Sequence, residues 1–445
     1  MKQKQFLLLL IVSSLSMMVV GLSNGFPLTE NDTGAYIAGG LNKIYSIDRT
    51  PFYGWFMRYT NFRTSLWLTI FAQCLILSYL ILKYIKLIQN DIAQFNTAFA
   101  TIITIISFTA LPWVTCFLMP DIFAPILLLA IILYLSGGTH KTKSAIIYMS
   151  IIFVAIIVHN AHAVIVGLFS VLLLIWSLAK KYKPLIKRSI FLLIISGFSW
   201  LVICSTNSLN GRGFAYSRTG HVFMMGRLAE TGILKIYLDN NCSKKNYALC
   251  QYKDQLPLRS WEFMWSSNGP FQKTGGWDSS ATEYTAIIRD ILTTPKYLAR
   301  FIQKSAIGTL RELCLINPGN MQVGDAKGSS PGFSIGLHYP VELSEYLSSE
   351  QNNGGISASV FSYFYFLFFV LSSIWILLHP DVINKDLAFI YGFIILFLVV
   401  NAFVTSTFST VASRFQNRVF WVLPATNAIL LIRVYCERFR IANNV

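Results

Sequence analysis

The chain has 445 residues, of which 54% are hydrophobic and only 13% are charged. A soluble domain carries about 25% charged residues, and a water-soluble globule of this composition would lack the polar surface needed to cover its apolar side chains. The composition therefore indicates that lipid surrounds much of the chain. The net charge of +16 does not predict nucleic-acid binding, because the basic residues lie mostly in short loops between apolar runs, where the positive-inside rule expects them.

Apolar runs of bilayer length predict membrane-spanning helices. These runs lie at about 5–24, 65–88, 97–119, 121–137, 188–204, 357–378, 386–409 and 417–436. We interpret the first run as a membrane helix rather than a signal peptide, because the run is long and is followed by a poor cleavage site.

The run at 145–179 is too long for one helix, because at ~1.5 Å per residue it would overrun a ~30 Å hydrocarbon core nearly twofold. Two helices joined at His159–His162 fit better. Basic residues flank the run on both sides and favour the cytoplasm, which requires a hairpin. They are Lys141, Lys143, Lys180, Lys181, Lys183, Lys187 and Arg188. The sequence thus predicts an all-α polytopic membrane protein with about ten transmembrane helices and both termini in the cytoplasm.

The first outer loop, 26–64, carries two acidic residues, Glu30 and Asp32, just after the first helix. Asn31 or Asp32 could cap a short helix over 33–45, and Thr50-Pro51 precedes a second short helix predicted over 51–60. The simplest interpretation is a capped helix at the membrane surface with solvated carboxylates.

The short second outer loop places Asp121 at the start of the fourth helix, where a carboxylate is favoured by the helix dipole. Asp121 either caps that helix or faces the same cavity as Asp32. The hairpin tip brings His159, Asn160 and His162 to the outer surface, and the two histidines are the candidates for a function there. They could ligate a metal, bind a phosphate or simply lie at the interface, although two histidines are too few for a zinc site.

The segment 205–356 is domain-sized and contains no apolar run of bilayer length. It separates an N-terminal membrane module of about seven helices, 1–204, from a C-terminal module of about three, 357–445. We predict a mostly helical extracytoplasmic domain with helices over 218–239, 281–292 and 295–315, a loop at 324–334 and a linker at 352–357. Cys242 and Cys250 could form a disulfide in an oxidising compartment or remain two reduced thiols.

Arg414 and Arg418 are spaced i, i+4, so they share one face of a helix. They lie at the predicted outer side of the membrane, against the positive-inside trend. Cations in that position usually bind a phosphate or a carboxylate, and the alternative is snorkelling to lipid head groups.

Together these features resemble the GT-C superfamily of polytopic membrane glycosyltransferases. The first loop matches at Asp32, Tyr36, Pro51 and Tyr53, and the second at Pro120-Asp121. The pattern Arg414, Phe415, Arg418 and Pro424 is similar to the last-helix Arg-Tyr…Pro element of the superfamily, with Phe in place of Tyr. The paired acidic residues usual in the first loop stand here as Glu30 and Asp32, separated by Asn31. The resemblance covers the membrane part of the chain.

The resemblance implies transfer of a sugar from a polyprenyl-phosphate donor to an extracytoplasmic glycan, lipid or protein acceptor. Separately from the resemblance, we expect the protein in the inner membrane of a bacterium. The resemblance also implies a carboxylate base and cations that stabilise the leaving phosphate. It leaves a divalent cation open, since only some members of the superfamily use one. We expect Asp32 to be the base, with Asp121 or Glu30 assisting. The residues expected to bind substrate are Arg414, Arg418, His159, His162, Tyr36, Tyr53 and Arg58.

Three other functions remain open. A transporter or flippase would need broken helices and polar residues at mid-depth, and only Asn401 and Pro112 interrupt the apolar runs in that way. A ligase or polymerase of lipid-linked surface polysaccharide would also carry a large outer segment such as 205–356. A non-enzymatic receptor or assembly factor would leave Asp32 replaceable.

Overall fold

The structure is a computed structural model that describes residues 2–90, 94–136, 142–318 and 329–443. Every regular element in these ranges is a helix, and one isolated β-bridge joins Leu28 to Phe117. Complete 3₁₀ helices within these ranges cover Pro120–Ile122, Ala248–Gln255 and Pro380–Val382. The α-helices in chain order are α1 (Gln3–Ser16), α2 (Val19–Asn24), α3 (Asn31–Asn42), α4 (Phe52–Thr60), α5 (Leu66–Gln89), α6 (Phe95–Phe108), α7 (Leu111–Thr115), α8 (Phe123–Ser136), α9 (Thr142–Ile157), α10 (Asn160–Ala179), α11 (Lys183–Leu209), α12 (Gly220–Glu230), α13 (Ile233–Asn241), α14 (Ser260–Trp265), α15 (Pro270–Lys273), α16 (Gly276–Ser279), α17 (Ala281–Thr293), α18 (Pro295–Cys314), α19 (Ser330–His338), α20 (Leu343–Ser348), α21 (Ser359–Leu378), α22 (Lys385–Phe408), α23 (Ser413–Phe420) and α24 (Val422–Asn443).

Within the described ranges, seven helical stretches are long and apolar enough to cross a bilayer. The all-α, multi-pass character predicted from the sequence is therefore confirmed. Three shorter apolar helices, Phe95–Phe108, Pro120–Ser136 and Thr142–Ile157, coincide with further predicted runs, and the count of ten crossings includes them and stays a prediction. The seven long stretches are Gln3–Asn24, Leu66–Gln89, Asn160–Ala179, Lys183–Leu209, Ser359–Leu378, Lys385–Phe408 and Ser413–Phe439.

The break predicted at His159–His162 is confirmed. Helix α9 ends at Ile157, α10 begins at Asn160, and the Nδ1 atom of His159 caps α10 by accepting the Ala161 N–H at 3.2 Å. The predicted single helix over 97–119 was wrong, because α6 ends at Phe108. Pro112 has no N–H to donate to the carbonyl of Phe108, so the helix cannot continue through it.

The described chain divides into two compact units. The first comprises Met1–Val202, Ile316–Leu398 and Asn417–Val445, and the second comprises Ile203–Leu315 and Val399–Gln416. Of the predicted outer domain 205–356, residues 205–315 thus belong to the second unit and the described residues of 316–356 belong to the first. Its extracytoplasmic location stays a prediction.

The second unit has a hydrophobic core of its own, built largely by α12, α13 and α17 with the aromatic residues of α14 and α15. The predicted helix over 218–239 was wrong, because Gly232, with φ of +74°, ends it and separates α12 from α13. Helices α17 and α18 confirm those predicted over 281–292 and 295–315. Cys242 and Cys250 are joined by a disulfide.

The predicted loop at 324–334 was wrong in its last part. Ser329 caps helix α19 by accepting the N–H of Gly332 at 3.3 Å, and α19 begins at Ser330. The rest of that predicted loop lies outside the described residues. The linker predicted at 352–357 is confirmed as turn and irregular structure before α21.

The first outer loop forms the two predicted short helices, α3 and α4. Helix α3 begins at Asn31, earlier than expected, and its N-cap is Glu30 rather than Asn31 or Asp32. The Glu30 N–H donates to the Thr33 hydroxyl at 3.0 Å, and the Thr33 N–H donates to the Glu30 carbonyl at 2.8 Å. Glu30 is therefore the last residue before α3, and these two hydrogen bonds fix the residue at which the helix begins.

Glycines set the packing of α3. A Cβ atom on Gly40 would collide with the backbone of Gly54 in α4, and one on Gly34 would collide with the backbone of Ser330 in α19. Helix α3 is therefore held between α4 and α19 at distances that only glycine permits. In the same unit, α8 is buried from Phe123 to Leu135, as expected of a helix that is apolar all round.

Candidate functional site

Asp32 lies in the first turn of α3, and its side chain is 30% exposed. The guanidinium of Arg49 clamps this residue, with Nη2 at 2.7 Å from the Asp32 carboxylate and Nη1 at 3.1 Å from its backbone carbonyl. Nε of Arg49 contacts the carboxylate of Asp48 at 3.1 Å, and that carboxylate also accepts the hydroxyl of Ser46. Charge-assisted, two-pronged contacts of this kind fix geometry, so Arg49 holds the predicted base in one orientation.

Two tyrosines that the resemblance singled out lie behind this cluster. The guanidinium carbon of Arg49 is 5.2 Å from the centre of the Tyr36 ring, within cation–π range. Tyr36 packs edge to face on Tyr53 with the ring centres 5.1 Å apart. The hydroxyl of Tyr53 donates to the side-chain oxygen of Gln73 in α5 at 2.6 Å. Both tyrosines are buried, so they support the cluster from the interior.

The charge of Asp121 also acts on this cluster, through its effect on the pKa of Tyr36. Burial raises the pKa of Tyr36, the charge of Arg49 opposes this, and the carboxylates of Asp32, Asp121 and Asp48 raise it further. Tyr36 is therefore a neutral phenol at physiological pH.

Backbone contacts bring the two predicted loops together. The Thr33 hydroxyl at the start of α3 donates to the carbonyl of Leu118 at 3.2 Å. Leu28 and Phe117 form the β-bridge in the same place, with the Leu28 N–H donating to the Cys116 carbonyl at 2.9 Å. The first loop therefore packs against the segment that immediately precedes Asp121.

Asp121 forms a buried ion pair with Arg418. The Arg418 Nη1 atom is 3.0 Å from the Asp121 carboxylate, and the two side chains are 0% and 4% exposed. Each charge compensates for the other in the interior, where an unpaired charge would be costly. Arg418, predicted to hold the donor phosphate, thus contacts a carboxylate of its own chain in this structure.

The hairpin tip contacts the first loop through a residue that the sequence did not single out for that role. The amide of Asn160 donates to the backbone carbonyl of Asp48 at 3.2 Å. His159 and His162 stack with ring centres 4.7 Å apart. His162 is fully buried, and its Nδ1 atom donates to the carbonyl of Ala155 at 2.6 Å, because a carbonyl can only accept.

The remaining predicted residues lie in different surroundings. Arg58, near the end of α4, donates to the backbone carbonyl of Gly40 at 3.1 Å. This bond gives a hydrogen-bond partner to a carbonyl in the last turn of α3. Arg414 belongs to the second unit, where its guanidinium carbon is 5.3 Å from the ring centre of Phe415. Arg414 is only partly buried, unlike Arg418 on the same helix.

The segment 329–351 covers the first loop and binds both of its ends. The side chain of Gln351 accepts the Thr29 N–H at 3.0 Å and donates to the Thr29 carbonyl at 2.9 Å. The carboxylate of Glu342 accepts the N–H of Leu66 at 3.1 Å, at the start of α5. The Ser334 hydroxyl donates to the carbonyl of Gly34 at 3.0 Å. The segment therefore holds α3 in place on a face other than the one that packs on α4.

A narrow cleft opens beside Tyr36 and Arg49, between α3 and the start of α4. Its free space is about 10 Å³, which is about what one water molecule requires. A sugar does not fit this cleft in the present conformation. Among the described residues, no group of three or more His, Cys, Asp or Glu side chains is arranged to hold a metal ion.

Comparison with protein-family models, with curated proteins and with solved structures finds no match for this chain.

Sequence reasoning missed Arg49 and Asp48, and it placed Asn160 at the outer surface without giving it a role of its own. The first two stand in the short segment between the predicted helices of the first loop, directly before Thr50-Pro51. A basic residue in that position is against the positive-inside trend, and the same signal drew attention to Arg414 and Arg418. Nothing in the sequence pattern indicated the contact between Asn160 and Asp48.

Proposed function

We propose that the protein is a membrane glycosyltransferase of GT-C-like architecture, with about ten crossings and both termini cytoplasmic, in the inner membrane of a bacterium. It would move a sugar from a polyprenyl-phosphate donor to an extracytoplasmic acceptor. The observation that supports this most is the partly exposed Asp32 carboxylate held by Arg49, in a loop that packs against the segment before Asp121.

In this proposal Asp32 removes the proton of the attacking acceptor hydroxyl as the bond between the anomeric carbon and the phosphate oxygen breaks. The donor phosphate competes with Asp32 for the guanidinium of Arg49. Transfer of Arg49 to the phosphate would free the carboxylate and place a cation on the leaving group, where charge develops.

The buried pair of Asp121 and Arg418 would hold the wall of this site rather than touch the donor, because Arg418 has no exposed surface. The narrow cleft beside Tyr36 and Arg49 would widen when Arg49 leaves Asp32. Arg49 therefore takes the phosphate-binding role first expected of Arg418.

The experiment is sugar transfer by the purified full-length protein in lipid nanodiscs, with a panel of labelled polyprenyl-phosphate sugars as donors. Asp32→Asn keeps the size of the side chain and one acceptor oxygen for Arg49 but lacks a basic carboxylate. We expect its turnover to fall by about 10²–10⁴-fold, the usual contribution of a general base. The matched control is Asp381→Asn, an exposed carboxylate in the loop between α21 and α22, which should keep wild-type turnover.

Wild-type turnover by Asp32→Asn would refute the assignment of the base. Failure of every polyprenyl-phosphate donor would refute the class of enzyme. Polyprenyl-diphosphate-linked saccharides are tested beside this panel, and turnover with them alone would instead favour a polysaccharide ligase or polymerase.

A further inference from the structure

The second unit carries an open cleft of about 480 Å³ between the end of the 3₁₀ helix Ala248–Gln255 and the helices α14 and α15. Its walls are formed by Gln255, Pro257, Trp261, Glu262, Trp265 and Asn268, together with the turn that leads into α15. Pockets for small ligands usually have volumes of about 300–1,000 Å³. This cleft therefore has room for one or two sugar rings.

Two tryptophans dominate the cleft. Trp261 and Trp265 are spaced i, i+4 on α14, so they share one face of that helix. They are 51% and 52% exposed, whereas Phe263 on the same helix is fully buried in the core of the unit. Helix α14 therefore packs one face, with Phe263, into the core of the unit and leaves the face with the two tryptophans exposed.

Each of the exposed indoles contacts a neighbouring side chain. Trp265 contacts Trp277 with ring centres 5.6 Å apart, and Trp277 packs edge to face on the buried Phe271 at 4.9 Å. The guanidinium carbon of Arg259 lies 6.0 Å from the Trp261 ring. Side chains that are already ordered lose little conformational entropy on binding, so this surface is suited to hold a ligand.

The wall opposite α14 is also fixed. The disulfide between Cys242 and Cys250 ties the 3₁₀ helix Ala248–Gln255 to α13. The carboxylate of Glu283 accepts the N–H groups of Ala248 and Leu249 at 2.7 and 3.1 Å. The 3₁₀ helix that ends at Gln255 is thereby fixed to α13 and α17.

Hydrogen-bonding groups stand beside the indoles. The lining includes the carboxylate of Glu262, which acts as an acceptor, and the amides of Gln255 and Asn268, which act as both donors and acceptors. An indole face carries negative charge density that attracts C–H groups. A pyranose ring presents a face of C–H groups together with an edge of hydroxyls. The indoles can therefore contact the C–H face of the sugar, while the carboxylate and the amides can form hydrogen bonds with its hydroxyls.

We infer that the cleft lined by Trp261 and Trp265 binds a pyranose oligosaccharide. The inference concerns binding alone and does not depend on the proposed transfer reaction. Exposed tryptophans are also common at membrane interfaces, where their rings lie at the level of the lipid head groups. Here the indoles line a concave surface with a carboxylate and two amides, groups that lose hydration on entering lipid.

The test uses the full-length protein in nanodiscs, with the disulfide intact, and four trisaccharides as probes: maltotriose, cellotriose, mannotriose and chitotriose. Binding is followed by tryptophan fluorescence and by titration calorimetry. We expect saturable binding of at least one probe, weakened about tenfold or more in Trp261→Ala and in Trp265→Ala, since loss of one aromatic contact costs a factor of about that size. Trp265→Phe should restore part of the affinity. Leu258→Ala, at an exposed position outside the lining, should bind like the wild type.

Three results would overturn the inference. The first is the absence of saturable binding for all four probes, and the second is unchanged affinity in both alanine variants. The third comes from nanodiscs made with brominated lipids. The emission of Trp261 and Trp265 is the difference in fluorescence between the wild type and the double variant Trp261→Ala/Trp265→Ala. If the brominated lipids quench this difference, the indoles lie in the bilayer and serve as a membrane anchor.

Discussion

Replacing Arg418 by Met tests the buried ion pair directly. Met has a similar length and is apolar, so it fills most of the space of the arginine stem while removing the charge. The carboxylate of Asp121, 4% exposed, then remains in the interior without its cation. We expect Arg418→Met to destabilise the protein strongly, whether or not any substrate is present.

The size of the effect follows from the geometry. The two charges are separated by 3.0 Å, which corresponds to an attraction of about 5–6 kcal/mol at an effective dielectric constant of about 20. Breaking a buried pair by removing one partner usually costs about 3–5 kcal/mol. Asp121→Asn should cost a similar amount. The double variant should cost less than the sum of the two, because it leaves no unpaired charge behind.

The measurement is reversible unfolding in mixed micelles, followed by circular dichroism, for the wild type, both single variants and the double variant. Arg414→Met is the matched control, since Arg414 lies on the same helix but is only partly buried. Its cost should stay below about 1 kcal/mol, the usual range for partly exposed charges.

The reasoning is wrong if Arg418→Met unfolds within about 1 kcal/mol of the wild type, or if the two single costs simply add. Wild-type stability combined with loss of sugar transfer would instead favour the original expectation that Arg418 binds the donor phosphate.

Two further predictions concern the packing of the first loop. Gly54→Ala would place a Cβ atom 2.7 Å from the carbonyl of Tyr36; because backbone cannot yield, we expect a loss of about 1–3 kcal/mol in unfolding free energy, measured in the same micelles. Burial raises the pKa of the Glu342 carboxyl group. The hydrogen bonds from Ser65 and Leu66 lower this pKa by a smaller amount. A raised folded-state pKa gives stability that is present below the unfolded value and is lost as pH rises through the folded value. The unfolding free energy of the wild type relative to Glu342→Gln should therefore fall as pH rises from 4.

The controls for these predictions lie in the same chain. Gly392→Ala adds a Cβ with no atom within 4 Å, so an equal loss of stability there would contradict the steric argument. For Glu342, the neighbouring exposed Glu345→Gln serves as the reference. A difference between wild type and Glu342→Gln that stays flat across the pH range, or rises with pH, would contradict the assignment.

Properties set by short stretches of chain could be predicted from the sequence. The apolar runs predicted the membrane helices, the polar HNAH interruption predicted the break between α9 and α10, and Thr50-Pro51 predicted the start of α4. The sequence left Cys242 and Cys250 as either a disulfide or two reduced thiols, and the structure joins them. The errors were also local: Pro112 ended α6, and Gly232 separated α12 from α13, although both residues were visible in the sequence.

The arrangement around Asp32 was decided by tertiary structure. Arg49 is 17 residues from Asp32, and Arg418 is 297 residues from Asp121. Glu342 and Leu66, which hold the end of the first loop, are 276 residues apart. The partition of side chains between lipid and water acts on each run by itself, so the sequence determines which segments become membrane helices. Which charge meets which depends on how closely those helices pack, and glycines such as Gly40 and Gly54 exert that control only once their partner backbones are in place.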